Sequence, residues 1–415
     1  LSNVSAFRHD PVKSVLVGAL PAAPGVGDPG TFRWDREPIV CGYRRLTSQD
    51  RRIGVEVPVP VSATPAVVSG VGVLVASDDG YVRLYSRGLA KLYWERRLNS
   101  GIYASLVVDG RRRHVIVVSS SGLVVCFDLR GTLVWSTEIG APVCATPAVL
   151  PQSDLLVVAA FRSRCVGVDL GTGARIFDRI LPPPWHADYG GAASHRDPYA
   201  SPVSTAEGNL IICCAEHVLC LRPDGTEIWR YETGQAIKAS PAALHATGQI
   251  AVCPVDGRCL FLDNRTGALH GEVSLGAKVT ASPAVSGGVL AVGSAYGQVV
   301  GLDVHTRRPV WHAEHAAPRS YTSFSVLPTG DFVATTTRGN IICLGAADGR
   351  FCWETSQVLG LPEHEPEMDI TPIAGPDGRM YCASYAGDIY EFRFQPYASP
   401  CQGAPVPSQE DTSCH

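Results

Sequence analysis

The chain lacks most of the short motifs that announce a function. It has no apolar run of eighteen or more residues, which excludes a membrane-crossing helix. No two cysteines stand in a CxxC pair, so zinc ribbons and thioredoxin-like redox chemistry are without their usual spacing. No phosphate-binding Walker loop, dinucleotide fingerprint or nucleophile elbow occurs. Charge is sparse as well. Charged residues make up 18% of the 415 residues, the net charge is -4 and the pI is near 6.3, which leaves no basic footprint for nucleic acid. The apolar stretch Val15-Leu16-Val17-Gly18-Ala19-Leu20 is too short and interrupted to read as a signal peptide.

Apolar residues reach 45%, so the chain can bury a substantial core. Fourteen cysteines are present, and several recur at equivalent places. Cys126, Cys220, Cys259 and Cys343 fall in one kind of strand, and Cys213, Cys214, Cys253 and Cys382 in the strand before it. Unpaired cysteine behaves as a small hydrophobe. The placement predicts reduced structural thiols and hence a cytoplasmic protein, with a removed signal peptide as the alternative.

Spacing is the most informative signal. Trp94, Trp135, Phe177, Trp229, His270, Trp311 and Trp353 recur at steps of 41 or 42 residues, with one step of 52. Such a period means that each repeat puts an equivalent residue into an equivalent slot. Each repeat opens with a small residue, a Ser or Thr and usually a Pro, as in Ala63-Thr64-Pro65, Ala145-Thr146-Pro147, Ala239-Ser240-Pro241 and Ala281-Ser282-Pro283. Two further openers, around Ser105 and Ser323, lack the proline, which brings the total to eight. An apolar run follows, then a tight turn such as Asp79-Gly80 or Asp256-Gly257 that supplies the positive φ of a hairpin. A third strand such as Cys259-Leu260-Phe261-Leu262-Asp263 comes next, and then the strand with the aromatic.

Four short strands repeated eight times predict an all-β fold, an eight-bladed β-propeller of four-stranded blades. The last repeat ends without its fourth strand, and Thr31-Phe32-Arg33-Trp34 stands unassigned near the N-terminus. An N-terminal strand is therefore expected to complete the last blade, with Trp34 in its outer slot, leaving no open edge in the ring. The expected organisation is an N-terminal extension over 1–30, one propeller over 31–396 and a disordered tail over 397–415.

These openers, turns, Leu-Asp strands and aromatics resemble the PQQ-like repeat family, over about residues 30 to 395. That family includes quinoprotein dehydrogenases, the outer-membrane assembly lipoprotein BamB and the C-terminal propeller of acyl-activating enzymes of the aminoadipate-semialdehyde dehydrogenase type. The resemblance specifies architecture more than function. The dehydrogenases of the family use a vicinal disulfide over a quinone, together with a calcium ion. Here the only adjacent pair, Cys213-Cys214, lies inside the apolar run Leu210–Cys214, where successive side chains point to opposite faces. That argues against a PQQ-dependent dehydrogenase.

Function is sought where the repeat is interrupted. The step from aromatic to next opener is 12 or 13 residues in regular repeats, but 31 after Trp34, 25 after Phe177 and 19 after Trp353. Strand alternation puts these three insertions, 36–60, 180–199 and 356–369, on one face of the ring, the expected binding face. The second insertion carries Trp185, His186, Asp188, Tyr189, His195, Asp197 and Tyr199. The third is acidic, with Glu363, His364, Glu365 and Glu367, and the first is mainly basic, with Arg44 and Arg45.

Two readings follow. In the first, the face is a non-catalytic binding or scaffolding surface for a protein or peptide, built from Trp185, Tyr189, Tyr199, Arg44, Arg45, Glu363 and Glu367. In the second, a cofactor-independent or metal-assisted enzyme caps the channel. His186, Asp188, His195, His364 and Glu365 are then its acid-base or ligand residues, acting on a small molecule at the channel mouth. No organic cofactor is expected, and a divalent metal is the one these side chains could hold, although no spacing matches a zinc signature.

Overall fold

The computed structural model describes residues 16–17, 31–50, 54–183, 199–295, 297–313, 323–355, 368 and 370–397. Eight blades of four antiparallel strands follow one another around a ring, and in the second blade Leu16–Val17 adds a short parallel strand beside the inner strand Val107–Asp109. Blades 1 to 7 span 66–97, 107–138, 148–180, 203–232, 242–274, 284–313 and 325–354. Blade 8 takes its three inner strands from 373–393 and its outer strand from Ile39–Arg45.

The Ser or Thr of each opener has a structural cause. The Thr64 N–H donates to the Ser105 hydroxyl, Ser105 to Thr146, Thr146 to Ser201, and Ser201 to Ser240. Ser240 continues to Ser282, Ser282 to Ser323 and Ser323 to Thr371. All of these hydroxyl residues are buried. One hydroxyl per blade thus satisfies the opener N–H of the blade before it, in the place where the strands converge and a donor could not reach water. This is why the two repeats that drop the proline still keep the serine.

At the periphery the tryptophans tie neighbouring blades together. The indole Nε1 of Trp94, Trp135, Trp229 and Trp311 donates to a carbonyl in the next blade's turn between third and outer strands, at Leu129, Leu170, Asn264 and Ala346, over 2.9–3.0 Å. Each ring, and that of Phe177, lies flat on a turn glycine of positive φ: Gly131, Gly173, Gly225, Gly267 and Gly349. A Cβ at Gly173 would stand 2.6 Å from the Trp135 ring, so glycine is required both by space and by backbone.

Three interfaces depart from this rule, at blade 5 and on either side of blade 8, and they correct the sequence reading at His270 and Trp34. In blade 5 a bulge places Gly271, not His270, opposite Phe261 in the slot. His270 is displaced outward and hydrogen-bonded to Gln249. Phe261 is fully buried on the third strand, and the next turn carries Arg307 at φ 58 where other blades need glycine, its side chain 3.2–3.3 Å from where a Cβ of Gly271 would stand.

The ring closes as expected with an N-terminal strand, but that strand is Ile39–Arg45 rather than the segment around Trp34. The register puts Gly42 in the slot, opposite Glu391. Trp34 is buried in the seam instead, where its carbonyl accepts the Trp353 indole at 2.9 Å and its ring packs on Phe394. It replaces the turn that blade 8 lacks, because there the chain ends supply it. The first insertion consequently shrinks to the hairpin Thr47–Asp50 and Val55–Pro58.

The cysteines pack as small apolar groups. Cys213 and Cys214 belong to separate clusters on the two sides of blade 4, facing blades 5 and 3 respectively. Burial pushes the Cys126 and Cys220 thiols up to about 12, so both are neutral at physiological pH.

Candidate functional site

In five of the blades the hairpin between second and third strands bonds to the connection that enters the blade. The N–H groups of Asp78, Ser120, Phe161, Val255 and Ala295 donate to the carbonyls of Pro60, Gly101, Pro142, Ala236 and Lys278. Both features therefore share one face, hereafter the loop face, as strand alternation required. The described parts of the insertions rise from it. The hairpin over 47–58 is rooted on blade 8, where Leu46 N–H donates to Gly387 O. The second insertion leaves blade 3 at Leu181, whose N–H donates to Ser163 O.

At the root of the second insertion stand two residues that motif reasoning missed. Glu216 and His217 form the blade 4 hairpin and are buried. The His217 Nε2–H donates to Pro183 O at 3.0 Å and lies 3.7 Å from a Glu216 carboxylate oxygen. Its Nδ1 faces Glu232 at 3.8 Å. Where most blades have a glycine of positive φ, such as Gly80, Gly122 and Gly257, this hairpin has Ala215 at φ 52 followed by two titratable side chains. A pair of ionisable residues between the wholly apolar runs Leu210–Cys214 and Val218–Leu221 was the available signal. The pair clamps the start of the insertion to the ring.

Of the candidate residues, Trp185, His186, Asp188, Tyr189, His195 and Asp197 lie outside the described residues, as do Glu363, His364, Glu365 and Glu367. The other three are placed, and none is a free contact of the channel mouth. Tyr199 is buried against Phe161, with ring centroids 5.2 Å apart. Arg44 and Arg45 lie on the outer strand of blade 8, at the ring's circumference, because 39–45 is a strand and not a loop. The Arg44 guanidinium stacks on Tyr85 and donates to Leu89 O at 2.8 Å. Arg45 pairs with Asp388, which also accepts the Tyr43 hydroxyl at 2.7 Å. Burial, reinforced by that hydrogen bond, pushes the Tyr43 hydroxyl up to about 12.

Along the channel wall, the inner strands of blades 3 to 6 enclose a cavity of about 250 Å³. Pro147, Val149, Pro202 and Ala243 give it apolar walls, and Ser204 and His245 add polar groups. Two residues ahead of each opener serine or threonine, the described chain carries Ser62, Tyr103, Cys144, Tyr199, Lys238 and Thr280 around the loop-face mouth. The mouth is unevenly charged. Ser62 bonds the Asp78 carboxylate on the blade 1 side, while Lys238 stands four blades away. Among the described residues no cluster of three or more His, Cys, Asp or Glu could hold a metal, and no helix is long and apolar enough to cross a membrane.

Comparison with known proteins agrees with this architecture. A family described as outer membrane protein assembly factor BamB matches residues 30–215 and 214–392. The chain is 27% identical over 170 residues to a BamB assembly factor of Nitrosomonas eutropha, covering 39% of this chain and 41% of that protein. It is 29% identical over 116 residues to a beta-alanine-activating enzyme of Danio rerio, covering 26% of this chain and 10% of that protein. The matches thus span less than half of either curated relative. Among solved structures, BamB from Moraxella catarrhalis superposes with a TM-score of 0.65 at 16% identity, over 86% of this chain and all of that one. A europium-containing methanol dehydrogenase reaches 0.63 at 12% identity, over 89% and 99%. At these identities the superpositions establish the fold, whereas the family match covers nearly the whole ring. The chain belongs to the PQQ-like repeat β-propeller family, the family described by the BamB assembly factors.

Proposed function

We propose that the protein is a non-catalytic binding or scaffolding propeller that docks a protein or peptide partner on its loop face. The observation that carries this reading is the one-sidedness of the ring. The hairpin over 47–58 and the clamped root of the 181–198 insertion rise from the loop face. On the opposite face the turns over 128–132, 169–173, 263–267 and 303–307 are short and closed by their own Asp carboxylates. The family's BamB members, assembly factors by name, favour the same reading. Trp185 and Tyr189 on the second insertion and Glu363 and Glu367 on the third are the contacts this reading calls for. It places the protein in the cytoplasm, where ten buried thiols stay reduced.

The experiment is affinity capture from the native host with wild type and two variants, Trp185→Ala with Tyr189→Ala, and Glu363→Lys with Glu367→Lys. A partner retained by wild type and lost by both folded variants supports docking on this face. Retention of every partner by both variants removes the loop face from the interaction. The enzymatic reading is tested with the same protein. His195→Ala and His364→Ala, each folded, would have to abolish a turnover seen in wild type, with a divalent metal supplied or chelated.

A further inference from the structure

In every blade the outer strand bulges by one residue just before the slot, so that two of its residues oppose one residue of the third strand. The bulged residue is bulky in most blades, such as Val134 or Ile228, but it is Cys352 in blade 7 and Cys41 in blade 8. In blades 2 and 4 the opposed residue is itself a cysteine. Cys126 there meets Val134 and Trp135, and Cys220 meets Ile228 and Trp229, so neither finds a second thiol. Blade 8 has the reverse arrangement. Cys41 opposes Glu391, and its thiol donates to that carboxylate at 3.5 Å. Among the described residues the two features coincide in blade 7 alone, where Cys352 and Trp353 both oppose Cys343.

Paired strands lie about 4.8 Å apart, within the Cα separation that a disulfide bridges. Cys343 is completely buried, and Cys352 is half-buried and packs against the cluster that holds Cys343. As a thiol, Cys352 donates to the Arg350 carbonyl at 3.7 Å. The hydrogen bond from Cys343 holds the Cys352 thiol below the usual cysteine range, against desolvation. That bond first, and burial second, push the Cys343 thiol well up. The accessible member is thus the more acidic one, and the protonated member lies behind it. Such a pairing sets the reactive thiol beside a resolving one. Cys41 is the contrast: it is exposed, yet desolvation outweighs Arg379 and Arg393 and raises its thiol. Cys253 and Cys259 also share one cluster, but both are completely buried, where no oxidant reaches them.

We propose that Cys352 is an oxidative modification site, at which a hydroperoxide converts Cys352 and Cys343 into a reversible disulfide across the blade 7 bulge. The Cys352 thiolate attacks the terminal peroxide oxygen. An S–O bond forms, the O–O bond breaks, and the leaving oxygen takes up the proton lost by Cys352. The resulting sulfenic acid carries no charge, so the cause that kept Cys343 protonated is removed. Cys343 then attacks the Cys352 sulfur, the S–O bond breaks, and the Cys343 proton leaves with hydroxide as water. Two thiols are oxidised to one disulfide, and the hydroperoxide is reduced to an alcohol and water. The new bond ties the bulge to the third strand beside Trp353, whose indole holds the Trp34 carbonyl at the closing seam. Cellular thiols return the pair to its reduced form, as for the transient redox-sensing disulfides of the cytoplasm. The site is independent of docking on the loop face and stands or falls separately.

Arg350 lies between the two cysteines, which makes the test direct. Trypsin places Cys343 in the peptide 339–350 and Cys352 in the peptide 351–379, each with no other cysteine. The full chain is treated with hydrogen peroxide, its remaining thiols are alkylated, and it is digested without reductant for mass spectrometry. The two peptides are expected as one linked species, two hydrogens lighter than their sum, which dithiothreitol separates. Cys352 should be consumed about tenfold faster than Cys41, the more exposed bulge cysteine. In Cys343→Ser, Cys352 should accumulate as a sulfenic acid that dimedone traps, and in Cys352→Ser, Cys343 should stay reduced. The linked species is read in the wild type, so the test does not depend on either variant folding. Consumption of Cys352 no faster than Cys41, or its conversion to sulfinic or sulfonic acid without the linked species, would overturn the proposal.

Discussion

Of the eight blade interfaces, five carry an aromatic side chain on a turn glycine; at a sixth Trp353 meets the Trp34 carbonyl instead, and two have no aromatic in the slot. At Trp135 the slot is filled from the outer strand, and the ring needs Gly173 beneath it. At Gly271 the outer strand supplies no side chain; the Arg307 stem of the facing turn lies over it, and Phe261 is fully buried opposite on the third strand. At Gly42 the slot stands opposite a buried carboxylate. Glu391 accepts the Gly88 N–H at 2.6 Å and pairs with Arg379. A Cβ on Gly42 would stand 2.9 Å from the Gly88 backbone, so that seam is closed by backbone contact and charge rather than by a ring. The slot is thus closed by different residue sets at different interfaces.

The largest effects should come from emptying the slot. Trp135→Ala and Phe261→Ala each remove a buried ring, and each is expected to cost about 3–5 kcal/mol in denaturant unfolding. Equal costs would establish that Phe261 does for blade 5 what tryptophan does elsewhere. A Phe261→Ala cost below about 1 kcal/mol would break the equivalence, since only a collapsed or differently filled slot explains so small a loss.

Next comes the seam. Glu391→Ala strands the Gly88 N–H and leaves Arg379 only its longer contact with Asp377 at 3.9 Å; breaking a fully buried pair costs about 3–5 kcal/mol. The Arg379 side chain is 20% exposed, so water recovers part of that loss, and roughly 2–3 kcal/mol is expected. Glu391→Gln keeps an acceptor for Gly88 and should lose less. If the two variants are equally destabilised, the charge matters and the Gly88 hydrogen bond does not.

The same contrast separates what the sequence could reveal from what it could not. The opener hydroxyls are legible because each one must accept a neighbour's N–H, so Ser105 and Ser323 mark a blade even without proline. The closing strand was not legible at residue level. Its slot holds Gly42, and the nearby aromatic, Trp34, serves the neighbouring interface as a carbonyl acceptor. His270 misled because it is the bulged residue that precedes the slot in every blade, as Val134 does before Trp135, and the slot itself holds Gly271. Site residues fared worse. Reading 36–60 as a loop made Arg44 and Arg45 into channel-mouth cations, although both are committed to the blade edge. Glu216 and His217 carry no motif, and only the folding of the ring brings them beneath the second insertion.

A smaller effect tests the glycine beneath the ring. Gly173→Ala places a methyl group 2.6 Å from Trp135 at φ 74, and a non-glycine residue in this region costs about 1–2 kcal/mol before any ring movement. Arg307→Gly, at the matching turn that has no ring above it, should change stability by less than about 1 kcal/mol. Thermal melts of the two variants check the pairing rule. A Gly173→Ala protein as stable as wild type would show that the ring can shift at no cost.

The smallest effect is a proton linkage in the same two turns. The Asp169 carboxyl is held below the usual carboxylate range, first by the Thr172 hydroxyl, against a raising contribution from desolvation, and then by the Thr172 and Gly171 N–H groups. In Asp303 the Thr306 N–H leads, followed by its hydroxyl. A folded-state value below the unfolded one means that the stabilisation is complete above the unfolded pKa of about 4 and is lost as pH falls through the folded value. Stability should therefore be flat from neutral pH to about 5 and decline below about 4. Asp169→Asn and Asp303→Asn should each make that acid decline shallower in urea titrations. The Asp169 turn lies beneath Trp135 and the Asp303 turn beneath Gly271. If tryptophan docking depends on the turn's shape, Asp169→Asn will also lower the neutral-pH midpoint, and Asp303→Asn will leave it nearly unchanged. Equal midpoints would mean that the ring rests on the glycine alone and draws nothing from the carboxylate that shapes the turn.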